Sequence, residues 1–368
     1  MTRFAKRMDK IEVSGIRRIF DLVQGMGDAA DFSLGQPDFA PPERVQKAAI
    51  DAIRGGKNKY TVTQGLPALV DHLRAYLART AGLRKDGGVI ITAGSAGALF
   101  LALGVLLEEG EEVIVPDPYF VLYKHLVHFF GGKAVMLDTY PDFRIRPEKL
   151  EALFTPRTRA VLFNNPVNPT GVAYTREEVA AIAGVARRRG VQLISDEIYE
   201  AFSFDFPHEC ALKHDPDAIL IGGFSKKYGV TGWRLGYAAG PRDIIDKMAM
   251  LQQFTFVCAP SPAQVAAITA LDEDMSSVIG EYRRKRDLIV DGLKDRFEIV
   301  VPQGAFYVFP KCPWGDDETF VKQAIESRCL VVPGGACSER KTHFRISYAQ
   351  PESELRRGID ILNKIARR

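Results

Sequence analysis

The stretch Gly223-Phe-Ser-Lys-Lys-Tyr-Gly-Val-Thr-Gly-Trp-Arg-Leu-Gly236 is the part of this sequence that indicates the fold. It follows the apolar run Ile219–Ile221, which is bounded by turn residues and predicts a short buried strand. The loop after this strand holds two adjacent lysines and an arginine among small residues, which leave room for a bound molecule. A lysine in a loop of glycine and serine is usually only solvated, so its meaning depends on the surrounding chain.

Strand-like and helical segments alternate around this stretch, from Pro41 to Pro241. The segment Arg176–Arg189 carries apolar residues on one side of a helix and charges on the other, as expected of a crossover between parallel strands. The predicted strands are mostly too uniformly apolar for a sheet with one face in water, so we expect an α/β fold with a mostly parallel sheet and helices on both faces. Seven strands are predicted, at Val89–Thr92, Val113–Val115, Ala134–Leu137, Ala160–Phe163, Gln192–Ser195, Ile219–Ile221 and Gly236–Ala239.

A chain of 368 residues is longer than one hydrophobic core usually serves, which favours two domains. After Pro241 the pattern changes to long helical stretches, notably Gln264–Arg296, and then to strand-like Ala305–Phe309 and His343–Ser347. We therefore predict a large domain over residues 41–250 and a smaller α+β domain over residues 251–368. Residues 1–40 are expected to pack with the smaller domain.

Composition and charge exclude several classes of protein. The chain has 49 Lys and Arg against 46 Asp and Glu, a net charge of +3 that is too small to indicate a nucleic acid or a membrane surface as partner. Its 5 cysteines are scattered and include no C-x-x-C pair, which argues against disulfides and a zinc site and favours the cytoplasm. We expect no metal site, no membrane span and a small-molecule substrate.

Several other segments place polar groups where parallel sheets bind ligands. Asp196 ends an apolar strand, and the carboxyl ends of such strands face the binding crevice. The start of the helix that follows Thr92 has tiny residues, and free backbone N–H groups at such a start bind phosphate. The segments that matter below are Phe32-Ser-Leu-Gly-Gln-Pro-Asp-Phe39, Lys59-Tyr-Thr-Val-Thr-Gln-Gly65, Thr92-Ala-Gly-Ser-Ala-Gly-Ala-Leu99, Pro116-Asp-Pro-Tyr-Phe120, Asn165-Pro-Val-Asn-Pro-Thr-Gly171, Asp196-Glu-Ile-Tyr199 and Phe344-Arg-Ile-Ser-Tyr348.

Together these segments resemble the motifs of the class I/II aminotransferases, the fold type I pyridoxal-phosphate enzymes, in the family's order from about Gly35 to Tyr348. The resemblance implies an aspartate-aminotransferase-like fold and pyridoxal 5'-phosphate as cofactor. It also implies transfer of an amino group from an L-amino acid to a 2-oxo acid such as 2-oxoglutarate by a ping-pong mechanism. A homodimer with shared active sites is implied as well.

The resemblance assigns the cofactor contacts residue by residue. The family's spacing of eight positions between the lysine that bonds to the cofactor aldehyde and the phosphate-binding arginine, Arg234, selects Lys226 over Lys227. Burial and neighbouring positive charge must lower the pKa of such a lysine for it to act at neutral pH. The other implied contacts are Asp196 at the ring nitrogen, Asn168 and Tyr199 at the ring oxygen, Ser95, Ala96, Ser225 and Arg234 at the phosphate, and Phe120, in preference to Tyr119, on the ring face.

The substrate contacts and catalytic roles are implied in the same way. Gly35 and Asn168 lie against the substrate, and Arg345 holds its α-carboxylate as a bidentate clamp. Lys226 acts as the general base at Cα, with Asp196 and Tyr199 as its catalytic companions. Tyr60 reaches the phosphate of the neighbouring subunit's cofactor. An N-terminal segment that includes Ile16, Arg17 and Arg18 often lines the pocket in this family.

Alternatives to this interpretation remain open. A carbon–sulfur or β-elimination lyase on the same scaffold uses the same lysine, aspartate and phosphate site, and the sequence separates the two activities poorly. A regulator built on this fold predicts an added DNA-binding domain, which we do not expect because the resemblance begins within the first 40 residues. Residues 333–342 depart from the family pattern, since Val332-Pro-Gly-Gly-Ala-Cys337 lacks the usual aromatic residue and later glycines. This departure leaves the substrate pocket and the preferred amino donor unassigned.

Overall fold

The computed structural model describes residues 4–11 and 28–367 of the chain. The strands, in chain order, are β1 (Ala30–Asp31), β2 (Gly88–Thr92), β3 (Glu112–Asp117), β4 (Lys133–Asp138), β5 (Thr158–Asn164), β6 (Gln192–Asp196), β7 (Ile219–Gly223), β8 (Gly236–Gly240), β9 (Tyr307–Val308), β10 (Cys329–Leu330), β11 (Val332–Pro333) and β12 (Phe344–Ser347). The α-helices are α1 (Glu43–Arg54), α2 (Pro67–Thr80), α3 (Gly94–Leu106), α4 (Leu122–Phe129), α5 (Pro147–Glu151), α6 (Arg176–Arg189), α7 (Arg242–Gln253), α8 (Ser261–Ala270), α9 (Ser276–Leu293), α10 (Asp317–Glu326) and α11 (Glu352–Ile365).

Seven strands form a central sheet in the order β2-β8-β7-β6-β5-β3-β4. Strand β8 runs antiparallel to both of its neighbours, and the other neighbouring strands are parallel. Each of the seven strands predicted from the sequence lies within one of these seven strands. The predicted α/β fold with a mostly parallel sheet is therefore confirmed.

Burial on both faces explains why the strands are uniformly apolar. Along β5, Val161 and Phe163 belong to an apolar cluster on one face, which α2 and α6 cover. Ala160 and Leu162 belong to a second cluster on the opposite face, which α3, α4 and α7 cover. Because successive side chains of a strand point to opposite faces, the consecutive residues Ala160–Phe163 are all buried.

A smaller domain has its own apolar cluster, built on α9, α10 and α11. Its sheet is three-stranded and antiparallel, in the order β11-β12-β9. The two-residue strand β1 pairs in parallel with β10, and Phe32 beside it is fully buried in the same cluster. The chain that precedes the large domain is thus attached to the smaller domain at this point.

Helix α8 belongs to the core of the large domain, whereas most buried residues of α9 belong to the core of the smaller domain. Helix α8 packs on α1 and α2, and its buried alanines belong to the cluster of the large domain. The segment Gln264–Arg296, expected to be continuously helical, is divided between α8 and α9 because these two helices serve different cores. The change comes later in the chain than the predicted boundary at residue 250.

Near the N-terminus, Lys6–Lys10 forms a 3-10 helix beside α4, where the Arg7 guanidinium lies 5.6 Å from the centre of the Phe129 ring. The segment with Ile16, Arg17 and Arg18 lies outside the described residues. No helix among the residues that the structure describes is long and apolar enough to cross a membrane.

Candidate active site

A cavity of about 280 Å³ opens at the carboxyl ends of β5, β6 and β7. The predicted site residues that line it are Gly35, Ser95, Ala96, Phe120, Asn168, Asp196, Tyr199, Ser225, Lys226, Arg234 and Arg345. It is also lined by Tyr123, Asn164, Ile198, Thr231 and Tyr307, which the sequence analysis did not assign. One predicted residue lies elsewhere, since Tyr60 is 84% exposed on the surface.

The parallel register of the sheet brings the polar ends of the strands together. Asn164 and Asp196 are the last residues of β5 and β6, and they lie directly opposite each other in the ladder. Asp196 is in turn aligned with Ile221 of β7, after which the chain turns into the loop that carries Ser225 and Lys226. Strand ends in register therefore place a carboxylate and an amine in one cavity.

Lys226 occupies a buried and electropositive environment. Its Nζ donates a hydrogen bond of 2.6 Å to the carbonyl oxygen of Gly35. Burial, followed by the positive charges of Arg345 and Arg234, lowers its pKa to about 8, against the opposing effect of Asp196. An amine with this pKa is partly uncharged at neutral pH and can act as a nucleophile or a base.

The neighbouring Lys227 has a different environment. Its Nζ donates to the Tyr76 hydroxyl at 3.0 Å and lies 3.6 Å from a carboxylate oxygen of Glu200. Burial alone would lower its pKa, but the Glu200 carboxylate raises the pKa above its ordinary value. Lys227 is therefore held as a charged ammonium, and it is Lys226 that lines the cavity.

Asp196 is buried at the end of β6 with few partners. Its Oδ2 accepts a hydrogen bond of 2.8 Å from the Tyr123 hydroxyl, and its Oδ1 accepts one of 3.2 Å from the backbone N–H of Ile198. Burial raises its pKa to about 6, although both hydrogen bonds act in the opposite direction. A buried carboxylate of this kind would be stabilised by a cationic group on a ligand.

The start of α3 and the side chain of Arg234 form a cradle for an anion. Arg234 has a left-handed backbone (φ 53°), and its Nη1 donates to the carbonyl oxygen of Thr231 at 3.0 Å. A Cβ at Gly94 would come within 2.6 Å of Arg234 Nη2, and one at Gly236 would come within 2.4 Å of the backbone of Gly94 and Ser95. Only glycine at these two positions allows the helix start and the guanidinium to lie so close together.

Arg345 lies on β12 and is only 2% exposed. Its Nη1 donates to Asn168 Oδ1 at 3.2 Å and its Nη2 donates to the carbonyl oxygen of Ser33 at 2.8 Å. Its guanidinium carbon lies 4.9 Å from the centre of the Tyr307 ring, and its buried Nε has no hydrogen-bond partner among the described residues. The guanidinium is thus bound to neutral oxygens, and its Nε–H group is left without a partner among the described residues.

The aromatic residues of the site differ in their orientation. Tyr199 and Tyr307 share a hydrogen bond of 2.8 Å between their hydroxyl groups, and burial raises the pKa of Tyr199 well above its ordinary value. Phe120 lines the cavity, whereas the Tyr119 hydroxyl donates to Glu339 at 3.0 Å. Of these two rings, Phe120 is the one that lines the cavity, and its place beside a ligand stays a prediction.

Sequence reasoning missed Tyr123 and Tyr307 as members of the site. Tyr123 follows Phe120 by three positions, so a helical spacing was a signal that both face the same side. Tyr307 lies in the aromatic run Gly304–Phe309, but nothing in that run indicates which ring faces the cavity. Asn164 ends a strand as Asp196 does, and this shared position at the strand end is a signal in the sequence for its place in the cavity.

The charges of the site are unbalanced. Lys226, Arg234 and Arg345 each hydrogen-bond to neutral oxygens. Within the part of the chain that the structure describes, Asp196 is the one carboxylate among the lining residues. A ligand with two anionic groups and one cationic nitrogen would complete this arrangement, and a pyridinium phosphate together with a carboxylate substrate has that charge pattern.

Comparisons with known proteins agree with this chemistry. The sequence model of the family described as Aminotransferase class I and II matches residues 28–362. The chain is 35% identical to a probable aspartate aminotransferase of Methanocaldococcus jannaschii, over 98% of this chain and 99% of that protein. It is 33% identical to aromatic-amino-acid aminotransferase 2 of Thermococcus litoralis, over 98% of this chain and 97% of the relative.

A solved structure gives the same result. The aspartate aminotransferase of Thermus thermophilus, determined with maleate, superimposes with a TM-score of 0.94 at 33% identity. The match covers 99% of this chain and 100% of that chain.

Proposed function

The chain belongs to the class I and II aminotransferases, and on that basis we propose that it uses pyridoxal 5'-phosphate to move an amino group from an L-amino acid to a 2-oxo acid such as 2-oxoglutarate. The two half-reactions share one site in a ping-pong cycle. The observation that carries the proposal is the buried amine of Lys226, which shares the cavity with Arg345, Arg234 and the carboxylate of Asp196.

The residues present fit this cofactor. The cradle formed by the start of α3 and Arg234 is proposed to hold the phosphate, together with the Ser225 hydroxyl and the backbone N–H groups of Ser95 and Ala96. Asp196, whose pKa is raised by burial, is proposed to pair with the ring nitrogen. Contacts to the ring oxygen and the ring face are proposed for Asn168, Tyr199 and Phe120.

When bound, the pyridinium ring supplies an electron sink for the charge that develops at the substrate Cα. Arg345 binds the substrate α-carboxylate through its planar guanidinium, and this orients the Cα–H bond towards Lys226. Lys226 then takes the proton at Cα through its Nζ and returns it within the cavity. Asp196 stabilises positive charge at the ring nitrogen. The hydroxyl of Tyr199 stays protonated because burial raises its pKa, and it donates to the ring oxygen.

A homodimer with shared active sites is part of the proposal. Tyr60 and Phe254 are 84% and 83% exposed, and Val62, Met250 and Val257 are also exposed apolar residues. A second copy of the chain would remove these side chains from water, and Tyr60 would then reach the phosphate of the neighbouring subunit's cofactor. A cytoplasmic location stays a prediction.

The test is to mix the purified protein, reconstituted with pyridoxal 5'-phosphate, with single amino acids in the absence of an oxo acid. We expect one equivalent of oxo acid per site and conversion of the visible band to that of the aminated cofactor. Adding 2-oxoglutarate should restore the original spectrum. Continuous release of pyruvate and ammonia would instead indicate the β-elimination lyase.

The variant Lys226→Ala is the control for this test and should show neither conversion nor turnover. The amino donors are compared as a panel, since the names of the relatives include both aspartate and aromatic aminotransferases.

A further inference from the structure

The segment that departs from the family pattern, residues 333–342, docks against the large domain beside the cavity. Residues 337–340 make these contacts, and we call them the docking segment. Within it, Cys337 and Ser338 are 1% and 4% exposed, so this contact is buried. The segment lies a few positions before Arg345, which the proposed function uses to bind the substrate carboxylate.

Backbone groups of the docking segment hold the turn that precedes Phe120. The backbone N–H of Tyr119 donates to the carbonyl oxygen of Cys337 at 2.8 Å. The backbone N–H of Glu339 donates to the Asp117 carboxylate, with its two oxygens at 3.3 and 3.2 Å. Asp117 and Tyr119 are 5% and 6% exposed. The turn that leads from β3 to Phe120 is therefore held from the smaller domain.

The carboxylate of Glu339 adds the side-chain contacts. Its Oε1 accepts a hydrogen bond of 3.0 Å from the Tyr119 hydroxyl and one of 2.6 Å from Lys124 Nζ. Tyr119 immediately precedes Phe120, and Lys124 immediately follows Tyr123 on α4. The Glu339 carboxylate thus binds the residue before Phe120 and the residue after Tyr123, the two rings that line the cavity.

The two flanked rings are those that face the proposed cofactor. Phe120 lines the cavity, and its ring meets that of Tyr123 edge to face with 5.6 Å between centres. The Tyr123 hydroxyl donates to Asp196 at 2.8 Å. A shift of this turn would therefore move both the stacking ring and the hydrogen bond to the carboxylate at the ring nitrogen.

A second set of contacts keeps the docking segment in place. Arg340 Nη2 pairs with Asp138 Oδ2 at 2.8 Å, and its guanidinium carbon lies 4.3 Å from the centre of the Tyr140 ring. The hydroxyl groups of Tyr140 and Ser338 share a hydrogen bond of 2.9 Å. These contacts orient Glu339 towards Tyr119 and Lys124.

We propose that Glu339 is a positioning residue, which acts from the smaller domain through Tyr119 and Lys124 to orient Phe120 and Tyr123 towards the cofactor. This inference rests on the proposed function, because it assumes that the cofactor ring lies against Phe120. It also assigns a role to residues 333–342, which depart from the family pattern. Their contacts connect the smaller domain, which carries Arg345, to Phe120 on the ring face of the site.

The test compares Glu339→Ala with Glu318→Ala in the protein reconstituted with pyridoxal 5'-phosphate. Glu318 is the matched control, because it pairs with Lys341 at 2.7 Å near the docking segment and its side chain is 68% exposed. The readouts are the dissociation constant of pyridoxal 5'-phosphate, the visible circular dichroism of the bound cofactor, and kcat/KM. Because Glu339 accepts two hydrogen bonds but is half exposed, we expect Glu339→Ala to weaken cofactor binding about fivefold to tenfold and to reduce the visible dichroism.

Three further variants test the inference, and two of them do so even if Glu339→Ala folds poorly. Tyr119→Phe removes only a hydroxyl outside the cavity and should change the dichroism in the same direction. Glu339→Gln keeps an acceptor for Tyr119 and should restore most of the signal. The double variant Tyr119→Phe, Glu339→Ala should be no worse than Glu339→Ala alone.

The outcomes separate this inference from the proposed function. If the wild-type protein binds cofactor and completes the half-reaction while Glu339→Ala and Tyr119→Phe match it in dichroism, the inference is wrong and the function stands. An equal loss in Glu318→Ala would also overturn it, because the effect would then belong to the smaller domain in general. A wild-type protein that does not bind the cofactor refutes the proposed function and this inference with it.

Discussion

At the scale of single residues, the two adjacent lysines show how the environment determines chemistry. Lys226 is buried near Arg234 and Arg345, whereas Lys227 is paired with Glu200 and Tyr76. The same side chain therefore has a lowered pKa at one position and a raised pKa at the next.

The lowered pKa of Lys226 predicts a pH dependence for covalent capture of pyridoxal 5'-phosphate by the cofactor-free protein. Only the uncharged amine attacks an aldehyde, so the capture rate should rise with pH and level off above a midpoint of about 8. Arg345→Gln removes a positive charge that lowers this pKa and should move the midpoint to higher pH. Stopped-flow absorbance between pH values of about 6.5 and 9.5 measures both.

The control for this prediction is Arg356→Gln, an exposed arginine of the same domain, which should leave the midpoint unchanged. A wild-type midpoint near the ordinary lysine value of 10.5 would contradict the prediction.

The raised pKa of Asp196 predicts that this carboxylate destabilises the folded protein in the absence of cofactor. Its pKa rises from 3.8 to about 6, so the folded protein without cofactor loses stability as the pH increases through this interval. Below about pH 3 the group is protonated in both states and the effect disappears. Asp196→Asn should therefore stabilise the cofactor-free protein by about 1–3 kcal/mol at pH 7.5 and by almost nothing at about pH 3.

Urea unfolding at equal protein concentration, at the two pH values, measures this difference in the free energy of unfolding. The same variant should lose most of its aminotransferase activity, because a neutral amide stabilises the protonated ring nitrogen less. Equal free energies of unfolding for the wild type and Asp196→Asn at pH 7.5 would show that burial of the Asp196 carboxylate does not destabilise the fold.

At the scale of elements, the short distance between the start of α3 and β8 creates the anion cradle. Gly236→Ala should disrupt it, because the new Cβ would come within 2.4 Å of the backbone of Gly94 and Ser95. Forcing these backbones apart costs about 1–3 kcal/mol, so we expect pyridoxal 5'-phosphate to bind at least about tenfold more weakly. An absorbance titration of the cofactor-free protein measures the affinity.

The matched control for this prediction is Gly232→Ala in the same loop, since a Cβ at Gly232 would meet nothing within 4 Å. Equal affinity in Gly236→Ala and Gly232→Ala would exclude the cradle as the phosphate site.

The elements themselves were predictable where their signals are local. Helix α6 has the predicted bounds because Thr175 and Glu178 form a capping box at its start and Gly190 takes a left-handed conformation (φ 64°) at its end. The segment Gln264–Arg296 lacks comparable signals in the chain, and the break between α8 and α9 follows from their packing in two different cores. Periodicity alone does not show which core a helix joins.

At the scale of the whole molecule, the proposed homodimer predicts complementation between subunits that carry different substitutions. In a hybrid of Lys226→Ala and Tyr60→Ala subunits, one site combines an intact Lys226 with an intact Tyr60 from the other subunit. We expect this site to bind pyridoxal 5'-phosphate with wild-type affinity, whereas the Tyr60→Ala homodimer should bind it about tenfold more weakly through loss of a hydrogen bond to a charged group.

The comparison needs purified hybrids with two different affinity tags and a cofactor titration of each. The arrangement with both substitutions in one subunit is the control, because its Lys226-bearing site then lacks Tyr60. If the two hybrids bind the cofactor equally, Tyr60 does not act across the interface.

The sequence by itself determined the fold class and the chemical groups of the candidate site. Uniformly apolar strands require a sheet covered on both faces, and the motifs from Gly35 to Tyr348, through their resemblance to a known family, name residues that line the cavity. Each strand and each motif is a pattern of neighbouring residues, so it is visible in the sequence alone.

Only the tertiary structure decided that Tyr123 binds Asp196, that Tyr307 faces the cavity, and that Glu339 holds the turn from β3 to Phe120. Each of these depends on contacts between segments far apart in the sequence. Side-chain direction and charge balance in a buried site arise from packing, and packing is settled only when the separate elements come together.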